Sequence, residues 1–341
     1  MTDSNDELWD EERRRKRGLL RMIFVGLSII AVLIVVATLW LAQPLISKPE
    51  KVEHGIVVDP ERLESHVRTI STDFYPRNYQ SPHNLDKTAA YIKSEFEKTG
   101  GKISEYSYVV NHLEYRNVSL LIGAEEGERI VIGAHYDSAF ATHGADDNAS
   151  GVAGLIELAH LLAKSPPAIP IELVAYTLEE PPFFGLEVMG SFRHAKSLND
   201  KGIKVRLMIC LEMIGYFSDK PGTQSFPLSI GKLIYPSTGN FIAIAGNFTN
   251  GMTVRRFKSA MQAASEVPVY SINAPSFIPG VDFSDHRNYW HHGYDAIMIT
   301  DSAFYRNKNY HQVSDTVETL DYRRMAEVVK GTYNAILETA K

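Results

Sequence analysis

His135 and Asp137 follow an apolar run at residues 130–134, and Asp146 and Asp147 close the polar loop after them, directly before an amphipathic stretch. In an extended segment residues i and i+2 lie on one face, so Asp137 can accept a hydrogen bond from one ring nitrogen of His135 and leave the other for a metal. A carboxylate so placed fixes the tautomer and raises the basicity of the ligand. An HxD pair at a strand end is also a common structural feature and does not decide the matter alone. The adjacent aspartates carry more weight, because neighbouring carboxylates repel unless a cation or a helix N-terminus offsets them.

Further donors stand at the ends of other apolar runs. Residues 171–177 read as a buried strand ending in Glu179 and Glu180, residues 205–211 as another ending in Glu212, and Tyr310 and His311 sit in a polar loop after the run 296–300. In an open α/β sheet ligands gather outside the carboxyl ends of the strands. The candidate ligands in chain order are therefore His135, Asp147, Glu180, Glu212 and His311. Tyr310 can donate its phenol hydrogen to a developing oxyanion or serve as a core tyrosine.

HYDS, GADDNASG, the EE pair, LEMIG, SDH and the late YH, in this order from about residue 60 to the C-terminus, resemble the zinc exopeptidase family that contains bacterial leucyl aminopeptidases, glutamate carboxypeptidases and glutaminyl cyclases. The resemblance implies a mixed, mostly parallel α/β sheet flanked by helices on both faces, and two Zn2+ ions. It makes Asp147 the bridge, with His135 and Glu212 completing one metal and Glu180 and His311 the other. Glu179 matches the family's general base, and a cis peptide is implied between Asp147 and Asn148. Glu212 departs from the commonest pattern, which has aspartate there; glutamate reaches one methylene farther and is read as a ligand, with contact to the substrate amine as the competing role. Asp285 and His286 are assigned to support of the pocket, His143, His291 and His292 to loops or surface, and Phe183 and Phe184 to the pocket or the core. The activity so implied is aminopeptidase hydrolysis of peptides with a free N-terminus. A single-zinc glutaminyl cyclase and a non-catalytic binding ectodomain are the alternatives.

The elements that must position these residues follow from pattern. Helices are expected at residues 60–72 (capped by Asp59), 84–98, 148–164, 254–265 and 321–339, with an antiparallel edge pair at 102–110 and 116–122, further strands at 241–246 and 296–301, and a loop-rich stretch at 262–289. The 341 residues are 44% hydrophobic and 22% charged, enough for one large domain at residues 59–341. A net charge of −6 without a basic patch in that domain excludes nucleic acid as a partner. The single cysteine, Cys210, lies in an apolar run and excludes an intrachain disulfide. That absence favours a bacterial origin.

Residues 1–12 are acidic, lack periodicity and read as disordered. RRRKR at residues 13–17 and Arg21 then precede an uncharged run at 22–42. At 1.5 Å per residue that run spans about 30 Å, a bilayer core. No small-residue cleavage site follows, so it reads as a retained signal anchor. The positive cluster places residues 1–21 in the cytoplasm and the domain, after a linker at 43–58, in the periplasm or outside the cell.

Overall fold

A computed structural model of the chain describes residues 3–42, 49–52, 55–229 and 231–341. Two compact units separate, Met1–Leu45 and Ile46–Lys341. The first holds one long helix, α1 (Asp3–Ala42), long and apolar enough to cross a membrane. Its apolar side chains from Leu19 to Val36 are exposed. The helix also takes in the acidic segment expected to be disordered. Helix propagation adds one hydrogen bond per residue once a nucleus exists, and the Glu12–Lys16 pair at 2.7 Å supports the junction.

The second unit opens with packed chain. The Val52 N–H donates to the Ala263 carbonyl at 3.0 Å, the Lys51 ammonium donates to the Ser265 carbonyl, and Val58 is buried in the core. The part of the expected linker at residues 43–48, 53 and 54 lies outside the described residues. Helix α2 (Pro60–Arg68) starts as its sequence requires, with the Asp59 carboxylate accepting from the Glu61 N–H and proline in the first turn. Helix α3 (Pro82–Glu97) leads to the hairpin β1 (Lys102–Val110) and β2 (Leu113–Ile122).

Alternation of β3 (Arg129–His135) and β4 (Ile171–Tyr176) with α4 (Gly151–Lys164) builds the centre. It is followed by α5 (Gly190–Asp200), β5 (Val205–Leu211), α6 (Gly231–Ile234), β6 (Ile242–Gly246), α7 (Gly251–Ala264), β7 (Val269–Asn273), α8 (His286–His291), β8 (Ala296–Thr300) and α9 (Tyr322–Thr339). Among the described residues these strands form an eight-stranded sheet in the order β1-β2-β4-β3-β5-β8-β6-β7. Strands β4, β3, β5 and β8 run parallel, and β2 and β6 flank them antiparallel. The fold is the mixed, mostly parallel α/β sheet expected.

Two differences from the sequence pattern have plain causes. The stretch expected to be loop contains β7, a short edge strand paired parallel to β6, and α8, a helix of one and a half turns; neither is long enough to show a period. Helix α5 escapes notice because its 11 residues hold few apolar side chains, Phe192, Ala195 and Leu198.

Strand residues divide strictly by parity. Ile130, Ile132, Leu173, Leu207 and Ile209 join α2, α3, α4, α7 and α9 in one core. Val131, Val174, Tyr176, Met208 and Cys210 face Ala195, Leu198 and Tyr289 from α5 and α8 in the other. Gly133 faces the second core, where a Cβ would run into the fully buried ring of Tyr176. Gly133→Ala is therefore expected to lower the unfolding free energy by about 1–3 kcal/mol, read as a drop in the denaturant midpoint; an unchanged midpoint would mean that the ring has room to move.

Candidate metal centre

Strands β3, β4, β5 and β8 end at one edge, and their following loops bring His135, Asp147, Glu179, Glu180, Glu212 and His311 together. Three groupings offer ligand atoms within 4.8 Å of one another: His135, Asp147 and Glu212; Asp147, Glu180 and His311; and His135, Glu179 and Glu180. The Asp147 carboxylate faces both histidines, with Oδ1 3.5 Å from His135 Nε2 and Oδ2 3.2 Å from His311 Nε2. Glu212 Oε2 lies 3.3 Å from the same nitrogen of His135, and Glu180 Oε2 3.2 Å from that of His311. Glu179 is set back, 3.9 Å from His135 Nε2. The peptide between Asp147 and Asn148 is cis.

His135 Nε2, Asp147 Oδ2, Glu180 Oε1 and His311 Nε2 are buried without a hydrogen-bond partner. Buried polar atoms are rarely left so. Imidazole nitrogens and carboxylate oxygens are the donor set of zinc, and the residues fit such an ion.

The backbone around the cluster is held by carboxylates. His135 Nδ1 donates to the main-chain carbonyl of Asp137 at 3.2 Å, with the Asp137 carboxylate at 3.5 Å, so Nε2 presents its lone pair to the cluster. The Asp137 carboxylate also accepts from the N–H groups of Glu179 and Glu180, at 3.2 and 3.0 Å. The acid thus faces His135, as its spacing leads one to expect, and also positions the glutamate loop. Asp315 does the same on the other side, accepting from the N–H groups of Asp146 and Asp147 at 3.0 and 3.1 Å. Ser284 donates to Glu212 Oε2 at 2.6 Å and contacts Cys210 Sγ at 3.2 Å. Asn148 ties β5 to the α4 entry, donating to the Leu211 carbonyl and accepting from the Gly151 and Met213 amides.

Only one of the adjacent aspartates faces the cluster. Asp146 turns away to accept from the Gly215 N–H and the Asn307 amide, and burial followed by the neighbouring Asp301 keeps its carboxyl well above the ordinary range. Burial would raise Asp147 too, but His135 and His311 hold it below the usual carboxylate value. Glu180 is pushed up to about 8 by burial, with Asp147 adding to it. His311 is raised to about 10: burial lowers it, and the facing carboxylates of Asp147 and Glu180 outweigh that. Glu179 is driven well above its usual value by burial, with Glu180 and Glu212 adding repulsion.

Tyr310 is not in the core. It stacks on His311 at 3.9 Å between centroids and lines, with Glu212, a cavity of about 110 Å³ walled by Phe241, Tyr270, Phe283 and Met298. Phe183 belongs to the core, whereas Phe184 packs edge-on against Phe283. Asp285 and His286 are fully buried; His286 bonds the Val281 carbonyl behind the cavity wall. His143 lies in the loop after β3, stacked on Tyr75. Sequence reasoning missed Asp315, Ser284 and Arg77; the one trace of Asp315 is its place four residues after His311.

Residues 117–336 match Peptidase family M28. The chain belongs to that family. It is 47% identical over 280 residues, 80% of this chain and 86% of the relative, to YfbL, an uncharacterized protein of Escherichia coli (strain K12). It is 24% identical to leucine aminopeptidase 1 of Ajellomyces dermatitidis over 82% of this chain and 71% of that one. In three dimensions it resembles a glutaminyl cyclase of Bacteroides thetaiotaomicron bound to N-acetylhistamine, with a TM-score of 0.63 at 17% identity, covering 83% of this chain and 99% of that one. The M28 family supports a metallopeptidase, and membership implies zinc.

Two outcomes follow for this M28 cluster. The metal-free folded chain holds protons on His311 and Glu180 more tightly than the unfolded chain does. Their contribution to stability is present at low pH and is lost as pH rises, from 4.5 to about 8 for Glu180 and from 6.5 to about 10 for His311. A divalent ion displaces those protons. With a chelator the melting temperature of the full chain in detergent is expected to fall between pH 5 and 9, and excess zinc is expected to remove that fall; the same slope with and without zinc would contradict this. Asp137→Asn leaves one amide of Glu179 or Glu180 unmatched and is expected to weaken zinc binding about 10- to 100-fold, read by chelator competition.

Proposed function

We propose that this chain is a membrane-anchored di-zinc aminopeptidase that removes N-terminal residues from peptides. The observation that carries this is the Asp147 carboxylate, whose two oxygens face different histidines, each with a carboxylate of its own. His135, Asp147 and Glu212 would hold one ion, and Glu180, Asp147 and His311 the other. Glu212, hydrogen-bonded by Ser284, keeps its ligand role in this reading.

Bound zinc supplies Lewis acidity to a carbonyl and lowers the pKa of water. Glu179, set back from the ligand atoms at 3.9 Å from His135 Nε2, accepts the proton of the attacking water and returns it to the leaving amine. Burial and the surrounding carboxylates keep the Tyr310 phenol protonated, so it can donate to the oxyanion. The apolar cavity beside Glu212 and Tyr310 takes the side chain of the N-terminal residue and favours large neutral ones. Helix α1 anchors the chain through residues 22–42, with RRRKR in the cytoplasm and the peptidase unit in the periplasm or outside the cell.

A second reading has its own observation. Asp147, Glu180 and His311 form a complete three-donor group without His135 or Glu212, which would suit a single-zinc glutaminyl cyclase. Glu179→Gln separates the two. In the aminopeptidase it is expected to retain two zinc ions per chain, by elemental analysis, and to lose amino-acid release from small peptides by at least about 100-fold. Loss of metal would make Glu179 a ligand, and one zinc with cyclisation of N-terminal glutamine by the parent would favour the cyclase. A reporter fused after Lys341 is expected to be active only outside the cytoplasm; activity inside would reverse the orientation.

A further inference from the structure

The loop between β3 and α4 carries a residue that neither the ligand set nor the cavity uses. Phe140 is 60% exposed and has φ 47, a left-handed conformation that is costly for a bulky side chain. The surrounding loop enforces it. Arg77, fully buried, donates to the carbonyls of Tyr136, Ile70, His143 and Gly144. The Asn78 amide donates to the carbonyl of Phe140 itself, and the hydroxyls of Tyr75 and Thr142 hold Ala141 and Ala139. A rigid loop thus pushes an apolar ring into solvent in a strained conformation, an arrangement that lowers stability and adds nothing to the core.

The ring stands beside the cluster. Phe140 meets His311 edge to face, with centroids 6.1 Å apart and an interplanar angle of 88°, while Tyr310 covers a face of the same imidazole. Ring contacts continue from Tyr310 to Phe304 and from Phe304 to Phe283, which lines the cavity. Phe140 is therefore the far end of an aromatic row that starts in the cavity wall and passes the ligands at His311. An N-terminal side chain held in the cavity leaves the rest of the peptide to exit past the cluster towards solvent, where Phe140 is open.

We propose that Phe140 is a specificity-determining residue that receives an apolar side chain of the second residue of the peptide, on the leaving-amine side of the cluster. The inference rests on the aminopeptidase reading. An exposed aromatic face gains by covering apolar surface of a ligand, and a position pre-formed by its loop loses little conformational freedom when it does so.

The test compares Leu-Leu with Leu-Gly as substrates of the zinc-loaded full chain. Wild type is expected to prefer Leu-Leu in kcat/KM, and Phe140→Ala to reduce that preference about tenfold, chiefly through KM, with Phe140→Tyr restoring it. Phe140→Gly, which accepts the positive φ without strain, is expected to lose the preference while melting no lower than wild type. No preference in wild type, an unchanged preference in Phe140→Ala, or an equal loss on both substrates would overturn the role of Phe140 and leave the aminopeptidase reading standing. Release of no N-terminal residue by wild type from either dipeptide would overturn both.

Discussion

Mutual repulsion among buried carboxylates is the constraint around which this structure is built. Asp147, Glu179, Glu180 and Glu212 are all less than 7% exposed and converge on two imidazoles. Removing that many charges from water is unfavourable unless a cation or protons neutralise them. Without a metal, protons fill that place, which is why Glu180 and His311 hold theirs so far above their ordinary values. In the proposed reading the cluster is thus organised for divalent cations before one binds, and the fold bears its cost.

That cost is distributed through the backbone. Asp137 and Asp315 each fasten two consecutive amides, one pair at the glutamates and the other at the aspartates. Neither carboxylate touches the far side of the cluster, yet each fixes where a ligand starts. Among the described residues, non-glycine positive φ occurs in the β1–β2 turn at Asn111 and His112 and otherwise at Phe140, Leu178, Met213, Ser302, Ala303 and His311. Leu178 precedes Glu179, Met213 follows Glu212, and His311 is itself a candidate ligand. Strained backbone is kept where the surroundings over-determine it, and such places are commonly functional.

Much of this was legible in the residues. Long apolar runs marked β3, β4, β5 and β8, because buried parallel strands lack polar alternation, and the polar residues just beyond them named the cluster. The stripe of α4 and the capped start of α2 were equally plain. What escaped had no local signature. Strand β7 holds only Val269–Asn273 and borrows its partner from β6. Asp315 and Arg77 act through main-chain atoms distant in sequence, and composition does not record such partners. Two further bonds of Asp137 escaped for a related reason: its spacing from His135 was visible, but the amides of Glu179 and Glu180, more than forty positions away, were not.

The central claim is that Asp147 lies between two metal ions. Anomalous diffraction at the zinc edge from crystals of the zinc-loaded peptidase tests it most directly. The account predicts two peaks about 3.5 Å apart, with Asp147 reaching both, His135 and Glu212 at one and Glu180 and His311 at the other. A single peak held by Asp147, Glu180 and His311, with Glu212 turned from the cluster, would contradict it.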